Sequence, residues 1–361
     1  MSVLDAKPAE VGEAVNAARL QAWMDEQGLG HGPLEDLISL GGGTQNILLR
    51  FRRDGRGYIF RRPPPHPRAN SNETMRREAR ILKALAGTPV PHPQLIAACG
   101  DESVLGVAFY LMEPIEGFNP IVGLPPLHAS SAEIRHRMGL SLIEGVARLG
   151  AVDYLAVGLE GFGKPDNFLG RQVERWRAHL ASYASYPEWP GPGPIKGVDE
   201  VAQWLEANRP ASFTPGILHG DYHIGNVMYA LDGPELAAIV DWELATIGDP
   251  LLDLGWLLAN WPEAEGEDTN DAIVVDVQPW SGFPTASELV EHYGRHSTRD
   301  LSAIKWYAVL ACYKLGIILE GTYARACAGQ AGTQIGERHH RKSIALLRRA
   351  LSWVQNGAVW G

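Results

Sequence analysis

The spacing of apolar residues divides the chain into a first part that combines strands with helices and a longer second part made mostly of helices. A first helix that ends near Gly28 is predicted by five apolar residues at helical spacing, which are Val11, Ala14, Val15, Ala18 and Ala22. Two apolar runs, at 37–40 and 46–51, flank a glycine-rich segment and predict a hairpin. A strand at 58–62 ends at three consecutive prolines, which cannot continue a hydrogen-bonded ladder.

The helix predicted over 71–86 carries a carboxylate within its apolar stripe. The stripe consists of Met75, Ala79 and Leu82. Glu78 falls inside this stripe, and a carboxylate held against a core needs a cation, which Arg61 of the preceding strand can supply. The alternative is a surface Glu78 that pairs with an arginine of its own helix, at position 76, 77 or 80.

A strand predicted over 107–113 is followed by a segment rich in proline and glycine, which is typical of a domain boundary. We therefore predict a first domain over 1–113 and a second over 114–361. Helices of the second domain are predicted at 133–149, 168–183, 198–207, 299–325 and 337–354. The predicted fold class is α+β, with a small β-rich first domain and a larger helical second domain.

The composition narrows the class of protein. Of the 361 residues, 45% are hydrophobic and 20% are charged, which is enough for two domains with cores of their own. The net charge of −10 disfavours nucleic acid as a partner, because phosphate backbones select basic surfaces. Three scattered cysteines indicate thiols in a reducing cytoplasm. No signal peptide and no membrane-spanning run is predicted, so a cytoplasmic location without a membrane partner is expected.

Two acidic motifs carry the chemistry. The first is His219-Gly-Asp221 followed by Asn226, and the second is Asp241-Trp-Glu243 after a short apolar strand. Asp221 can accept a proton from an attacking hydroxyl, whereas Asn226 and Asp241 offer the hard oxygen ligands that magnesium prefers. The pattern predicts phosphoryl transfer, with Asp221, Asn226 and Asp241 as catalytic residues and the last two as metal ligands.

The histidines of the first motif are not predicted to bind zinc. His219 and His223 have the spacing of a helical metal-binding pair, but the glycines at 220 and 225 oppose a helix there. His219 is expected to have a structural role, with its ring bonded to the backbone near Asp241, rather than a role in proton transfer. Asp253, further along the chain, is expected to hold this loop by hydrogen bonds.

The form HGDxxxxN followed by DWE resembles the aminoglycoside phosphotransferase and choline-kinase group of small-molecule kinases. The resemblance implies a bilobal protein-kinase-like fold and an ATP- and magnesium-dependent kinase with an alcohol as acceptor. Within that group the chain resembles the branch whose kinase domain is associated with acyl-CoA dehydrogenases. The supporting motifs are Arg61-Arg62-Pro-Pro-Pro, Val104-Leu-Gly106-x-x-Phe-Tyr, Gly158-Leu and Arg171-Gln-x-x-x-Trp176.

The resemblance also implies a nucleotide site in the first domain. Phosphate contacts are expected from the glycine-rich turn, through Gly42, Gly43, Thr44 and Asn46. Arg61 or Arg62 stands where family members often have a lysine, and the resemblance gives Arg61 the phosphate-binding role, held by Glu78. Adenine is expected to contact the backbone of the segment Leu111, Met112 and Glu113.

The acceptor is expected to contact Glu243, Arg171 and Trp176. The segment around the last two is aromatic, with Phe162, Phe168, Trp176, Tyr183, Tyr186 and Trp189. Aromatic walls beside arginines suit an acceptor with an apolar body and an anionic end, such as a hydroxyacyl-CoA or a hydroxy acid. An aminoglycoside, a polycation, needs an acidic patch instead. The alternative is that the aromatic residues only pack this segment and the arginines face solvent.

Two functions from other classes stay open at the level of the sequence. One is a nucleotide-binding pseudokinase with a regulatory role, against which the intact Asp221, Asn226 and Asp241 argue. The other is a metal-dependent hydrolase that uses the same carboxylates on a phosphoester. Turnover of ATP separates a kinase from the first, and nucleotide binding without cleavage of a phosphoester separates it from the second.

Overall fold

The computed structural model describes residues 15–40, 46–67, 69–262, 275–358 and 360. The chain divides into two compact units. The first unit comprises residues 1–116 with the short returns 157–159 and 237–243, and the second comprises 117–156, 160–236 and 244–361. The returns are distant in sequence from the rest of the first unit, so a single cut after residue 113 does not describe them.

The described part of the first unit is an antiparallel sheet with helices. Its elements are α1 (Ala17–Glu26), β1 (Glu35–Ser39), β2 (Ile47–Arg53), β3 (Arg56–Arg62), α2 (Ser71–Leu85), β4 (Leu95–Cys99), α3 (Glu102–Leu105) and β5 (Phe109–Met112). The strand order is β1-β2-β3-β5-β4. The predicted strands and the predicted helix at 71–86 are therefore present, with ends shifted by a few residues.

The core of the first unit follows from the period of two along its strands. Phe51, Tyr58, Phe60, Phe109 and Leu111 are all buried, and alternate side chains of a strand point to the same face of a sheet. Burial of each such side chain contributes about 1.5–3 kcal/mol. The sheet also pairs Arg61 with Tyr110 across β3 and β5, which places two polar side chains at one point of an otherwise apolar surface.

The described part of the second unit is mostly helical. Its helices are α4 (Pro126–Ser130), α5 (Ala132–Ala151), α6 (Gln172–Ser182), α7 (Val198–Ala207), α8 (Leu251–Ala259), α9 (Ala286–His296), α10 (Ile304–Cys327) and α11 (Thr333–Asn356). Its short strands are β6 (Gly216–Leu218), β7 (Val227–Tyr229) and β9 (Thr246–Gly248), and β8 (Leu236–Ile239) spans the change of unit. The strand β6 pairs antiparallel with β9. The predicted helices are all present.

Helix α9 was not predicted, although the sequence carries its start signal. The Thr285 side chain accepts a hydrogen bond from the Glu288 backbone, and the Glu288 side chain accepts one from the Thr285 backbone. This capping box satisfies two N–H groups at the helix start. The motif Thr-x-x-Glu before the apolar positions of 286–293 is the signal that could have found this helix.

Helix α10 passes through the middle of the second unit, and most of its residues are buried. Gly255 of α8 allows close packing here, because a Cβ at this position would lie 2.5 Å from the backbone of Tyr307. This packing brings the polar residues of α8 next to α10. Neither α10 nor any other helix among the described residues is long and apolar enough to cross a membrane.

Candidate active site

The loop that follows β6 carries the first acidic motif, and helix α8 holds it in place. The Asp253 carboxylate accepts hydrogen bonds from the backbone N–H groups of His219, at 2.7 Å, and of Gly220, at 2.9 Å. Burial raises the pKa of Asp253, although His219 and these N–H groups favour its charged form. The predicted role of Asp253 as the anchor of this loop is confirmed.

Gly220 is required by the geometry of the loop. Its φ is +86°, a conformation that disfavours side chains, and a Cβ would lie 2.5 Å from the Leu244 carbonyl oxygen. Directly after it, the Asp221 backbone N–H donates to His219 Nδ1 at 3.3 Å. The ring of His219 therefore helps to shape the turn that presents Asp221, which agrees with its predicted structural role.

The Asp221 carboxylate is held by side chains on both of its oxygens. Trp256 Nε1 donates to Oδ1 at 2.8 Å, Asn226 Nδ2 donates to Oδ2 at 3.0 Å, and His223 Nε2 lies 3.5 Å from Oδ1. Burial opposes the charge, but His223, His219 and Trp256 hold the pKa of Asp221 well below its usual range. Asp221 is therefore ionised at neutral pH and fixed in orientation.

Asn226 is positioned by the same contacts. It ends a short 3-10 turn, Ile224–Asn226, and its NH2 group donates both to the Asp221 carboxylate and to the Asp221 carbonyl oxygen, the latter at 2.9 Å. Because the nitrogen end of the amide faces Asp221, the oxygen end is the one that can bind a cation. The structure brings together these two predicted residues of the second unit.

Lys314 is a residue of this site that was not predicted. Its ammonium donates to the Gly220 carbonyl at 3.3 Å and lies over the rings of Trp256, at 4.4 Å, and Trp176, at 5.7 Å. Burial lowers the pKa of Lys314 to about 8, while Asp221 favours its charged form. A lone lysine in the apolar run 306–319 is the sequence signal that could have found it.

The first unit contains a second polar cluster, centred on Arg61. Arg61 Nε lies 2.9 Å from Glu78 Oε2, and Arg61 Nη2 donates to Asp241 Oδ1 at 2.8 Å. The Tyr110 hydroxyl donates to Glu78 Oε2 at 2.8 Å. Glu78 is only 1% exposed, and Arg76 pairs with Glu102 instead. The expected Arg61–Glu78 pair is thus present, and the surface alternative for Glu78 is excluded.

The charges of this cluster depend on one another. Burial raises the pKa of Glu78 to about 7, although Arg61 and the Tyr110 hydrogen bond favour its ionised form. Burial also opposes the charge of Arg61, but Tyr110, Glu78 and Asp241 together keep its pKa above its ordinary value. Asp241 has a φ of +65°, which few residues other than glycine adopt and which is common at functional sites.

The buried pair predicts a difference in stability between two neighbouring arginines. Arg61→Met is expected to lower the free energy of unfolding by about 3–5 kcal/mol, because Glu78 would remain buried without its cation. Arg62 is half-buried, and its Nε donates to the Pro63 carbonyl, so Arg62→Met is expected to cost about 1.5 kcal/mol or less. Urea unfolding curves of both variants measure the difference, and an equal loss in the two would contradict this prediction.

Only some of the other residues predicted to bind the nucleotide belong to the described part of the chain. Gly42, Gly43 and Thr44 lie outside the described residues. Asn46, directly before β2, donates from Nδ2 to Glu243 Oε2 at 3.4 Å. Glu243 was predicted to contact the acceptor, and the structure places it beside Asn46.

The segment predicted to bind adenine lies at the end of β5, an interior strand of the sheet. Leu111 and Met112 are buried there, with neighbouring strands on both sides. The Glu113 backbone N–H donates to the Gln94 carbonyl at 2.9 Å, and its exposed side chain pairs with Arg56 at 3.0 Å. The Glu113 N–H therefore already has a hydrogen-bond partner within the protein. The next backbone group along the chain is the Glu113 carbonyl.

The predicted acceptor residues differ in what they contact. The Arg171 guanidinium donates to the carbonyls of Asp166 and Lys164, the latter at 2.6 Å. It is therefore hydrogen-bonded within its own loop. Trp176 is buried beside Lys314. Other aromatic residues of this segment pack inward, since the Tyr183 hydroxyl donates to the Ile317 carbonyl at 3.0 Å. The alternative prediction, that the aromatic residues only pack this segment, therefore holds for part of it.

Comparison with known proteins places the chain in a family. The model of the phosphotransferase enzyme family matches residues 36–289. The chain belongs to this family. It is 28% identical to mouse acyl-CoA dehydrogenase family member 10 over 330 residues, and the match covers 89% of the chain and 29% of the relative. The chain is also 30% identical to chicken acyl-CoA dehydrogenase family member 11 over 304 residues, and this match covers 81% of the chain and 37% of the relative.

The chain thus spans about a third of the length of these relatives. A solved structure from Ralstonia eutropha, described as a candidate aminoglycoside phosphotransferase, has a TM-score of 0.75 at 27% identity and covers 94% of this chain and 99% of its own. The GDP and kanamycin complex of APH(2″)-IIIa has a TM-score of 0.60 at 17% identity, covering 93% and 99%. The predicted α+β, protein-kinase-like fold and the predicted branch of this phosphotransferase family are confirmed.

Proposed function

We propose that the chain is an ATP- and magnesium-dependent kinase that transfers the γ-phosphoryl group to a hydroxyl of a small molecule. The observation that carries this proposal is the Asp221 carboxylate, which Trp256, Asn226 and His223 hold ionised and oriented. Membership of the phosphotransferase family supports it. Solved relatives of the same fold are described as complexes with GDP, ADP or AMP-PNP, which supports a nucleotide donor.

Arg61 neutralises phosphate charge in this proposal. A guanidinium binds phosphate oxygens through several N–H groups, and Glu78 fixes its orientation. The segment that contains Gly42, Gly43 and Thr44, together with Asn46, contacts the phosphates through the backbone. Adenine binds at Leu111–Glu113, where the Glu113 carbonyl is the backbone group that accepts from the adenine amine.

The donor atoms of Asn226 and Asp241 fit magnesium. Asp241 is a carboxylate whose side chain is 40% exposed and whose Oδ1 accepts from Arg61, and Asn226 offers an amide oxygen. Hard oxygen donors of this kind, together with water and phosphate oxygens, are the ligands magnesium prefers. When bound, magnesium neutralises charge on the β- and γ-phosphates. The Arg61 contact holds Asp241 in one orientation for that purpose.

Asp221 acts on the acceptor hydroxyl. It accepts a hydrogen bond from this hydroxyl and takes the proton while the new O–P bond forms and the bond to the β-phosphate oxygen breaks, releasing ADP. The depressed pKa keeps Asp221 ionised and therefore able to accept this proton, and the same carboxylate orients the hydroxyl for in-line attack. The contacts with Trp256 and Asn226 provide that orientation.

Lys314 indicates the class of acceptor. Its ammonium lies between two indole rings, and one of these, Trp256, donates directly to Asp221. An anionic group on the acceptor is attracted by the ammonium, and an apolar body packs against the indole rings. We therefore propose a hydroxy acid or a hydroxyacyl-CoA as acceptor, with Lys314 taking the place that the sequence suggested for Arg171. A polycationic aminoglycoside would be repelled at this point.

We place this activity in the cytoplasm. Cys99 is a buried thiol and Cys327 a partly buried thiol, and neither takes part in a disulfide. Free thiols persist in a reducing compartment, whereas secreted proteins tend to form disulfides.

A mass-shift screen tests the proposed function. Purified protein, ATP and magnesium are incubated in parallel with hydroxy acids, hydroxyacyl-CoAs and kanamycin-type sugars. We expect one phosphoryl group to be added to an anionic acceptor and an equal amount of ADP to appear. Phosphorylation of the aminoglycoside alone would overturn the acceptor class, and no phosphorylated product from any acceptor would count against the kinase itself.

The charge of Lys314 predicts a pH dependence of acceptor binding. Its pKa of about 8 means that the ammonium loses its proton as the pH rises through this value, so the KM for the anionic acceptor should rise above it. In Lys314→Arg the guanidinium stays charged, and the KM should remain flat to about pH 9. In Lys314→Met the KM should be raised roughly 10- to 150-fold at neutral pH, since a charge-assisted contact contributes about 1.5–3 kcal/mol.

Steady-state kinetics on the best acceptor of the screen measure these values, with the KM for ATP as internal reference. The same rise in wild type and Lys314→Arg would show that another group titrates. An unchanged acceptor KM in Lys314→Met would remove Lys314 from the acceptor site.

A further inference from the structure

A second cluster of metal-binding side chains lies in the second unit, on α5 and α9. His292 and His296 are one turn apart on α9, and Glu144 lies on the neighbouring α5. His292 Nε2 lies 3.2 Å from Glu144 Oε1, and the two imidazole rings have centroids 4.2 Å apart. One ligand atom from each of the three residues lies within 4.8 Å of the other two.

The hydrogen bonds around this cluster orient its ligand atoms. His296 Nδ1 lies 2.9 Å from the His292 carbonyl oxygen. A ring nitrogen bonded to a carbonyl carries the proton, which leaves Nε2 of His296 as a lone-pair donor. Glu144 Oε2 accepts from Arg148 at 3.1 Å, so its other oxygen is directed at the histidines. A carbonyl behind a histidine ligand and a fixed carboxylate are typical of bound-metal sites.

We propose that His292, His296 and Glu144 bind one zinc ion and that this ion joins α5 to α9. Zinc binds imidazole nitrogens and carboxylate oxygens, so the two histidines and the glutamate supply three ligands. A water molecule completes the four-fold coordination. Ligand atoms around a tetrahedral zinc ion lie about 3.3 Å apart, which follows from bonds of about 2.0–2.1 Å. The His292–Glu144 distance is close to this value, and the ligand atom of His296, the exposed last residue of α9, lies within 4.8 Å of the other two.

Magnesium is not the ion expected here. It prefers oxygen ligands and gives up water reluctantly, whereas imidazole nitrogen suits zinc and its neighbours in the first transition series. The proposed zinc site and the proposed magnesium ligands, Asn226 and Asp241, therefore differ in donor atoms. The zinc proposal stands on its own and does not depend on the kinase activity.

The same two helices provide a matched control. His136 of α5 lies 3.3 Å from Glu288 of α9, so this pair also bridges the helices through a histidine and a glutamate. Among the described residues, no third histidine, cysteine, aspartate or glutamate joins His136 and Glu288 in a group of three. If zinc binding required only an exposed His–Glu pair, removal of His136 would matter as much as removal of His296.

The test is calorimetric titration of chelator-treated protein with zinc chloride in excess magnesium. We expect one zinc per chain in the wild type, in His136→Ala and in His223→Ala, the last of which removes the histidine beside Asp221. In His296→Ala and Glu144→Gln the affinity should fall by about 10- to 100-fold or more. His296 is exposed, so its replacement should leave the fold intact, which far-ultraviolet circular dichroism checks.

A second readout is the thermal midpoint. Zinc should raise it in the wild type and in His136→Ala but not in His296→Ala, because a ligand that binds only the folded state stabilises that state. Zinc affinity that is equal in wild type and His296→Ala would overturn the proposal. Affinity that falls equally in His136→Ala and His296→Ala would show scattered surface binding and would overturn it as well.

Discussion

Asp221→Asn is expected to lower the turnover of the kinase by roughly 10²- to 10⁴-fold, the usual contribution of general-base catalysis. The amide has nearly the same shape and can still accept from Trp256, but it cannot take a proton from the acceptor. Its affinity for ATP should stay nearly the same, because Asp221 contacts the acceptor hydroxyl in this account. Steady-state kinetics give the turnover, and calorimetric titration with ATP and magnesium gives the affinity.

Asp232→Asn is the control for this variant. Asp232 is an exposed carboxylate of the same unit, so its replacement makes the same chemical change away from the site. Its turnover should equal that of the wild type. Full activity in Asp221→Asn, with normal folding, would refute the role of Asp221.

Asp241→Asn is expected to abolish magnesium-dependent binding of ATP. The charge of Asp241 is the part of its side chain that holds a divalent cation, while an amide oxygen is a much weaker ligand. Asparagine suits this test better than alanine, because it tolerates the φ of +65° and can still accept from Arg61. Calorimetry with and without magnesium measures the effect.

The comparison with Asp241→Ala separates the metal from the backbone. Alanine would strain the backbone at this φ and would also remove the partner of Arg61, so it is expected to be less stable than the asparagine variant. Both variants should lose the magnesium dependence. If ATP binding to Asp241→Asn still increased with magnesium as in the wild type, the metal site would have to lie elsewhere.

The elements around the motifs could be predicted because their signals are local. The prolines after Arg62 end β3, and the apolar stripe around Glu78 sets the buried face of α2. A carboxylate in such a stripe requires a cation nearby, and the pair with Arg61 follows from that requirement. Asp253 was expected to anchor the loop of Asp221 and does so.

The rest depended on packing between distant segments. Trp256 and Lys314 reach Asp221 and its loop only because Gly255 lets α8 approach α10, and no local pattern reports that approach. Arg171 was expected to contact the acceptor, but its guanidinium donates hydrogen bonds to carbonyls within its own loop. A sequence pattern shows which side chains can bind an anion, whereas the fold decides what each contacts first.

The central claim is that the γ-phosphoryl group of ATP passes to an acceptor hydroxyl with the help of Asp221. It is tested most directly by following ATP labelled at the γ-phosphorus in the presence of magnesium and the anionic acceptors. The account predicts that wild-type protein moves the label into the acceptor and that Asp221→Asn does so at least about 100-fold more slowly. Binding of ATP with no movement of the label, or label released only as inorganic phosphate, would contradict it.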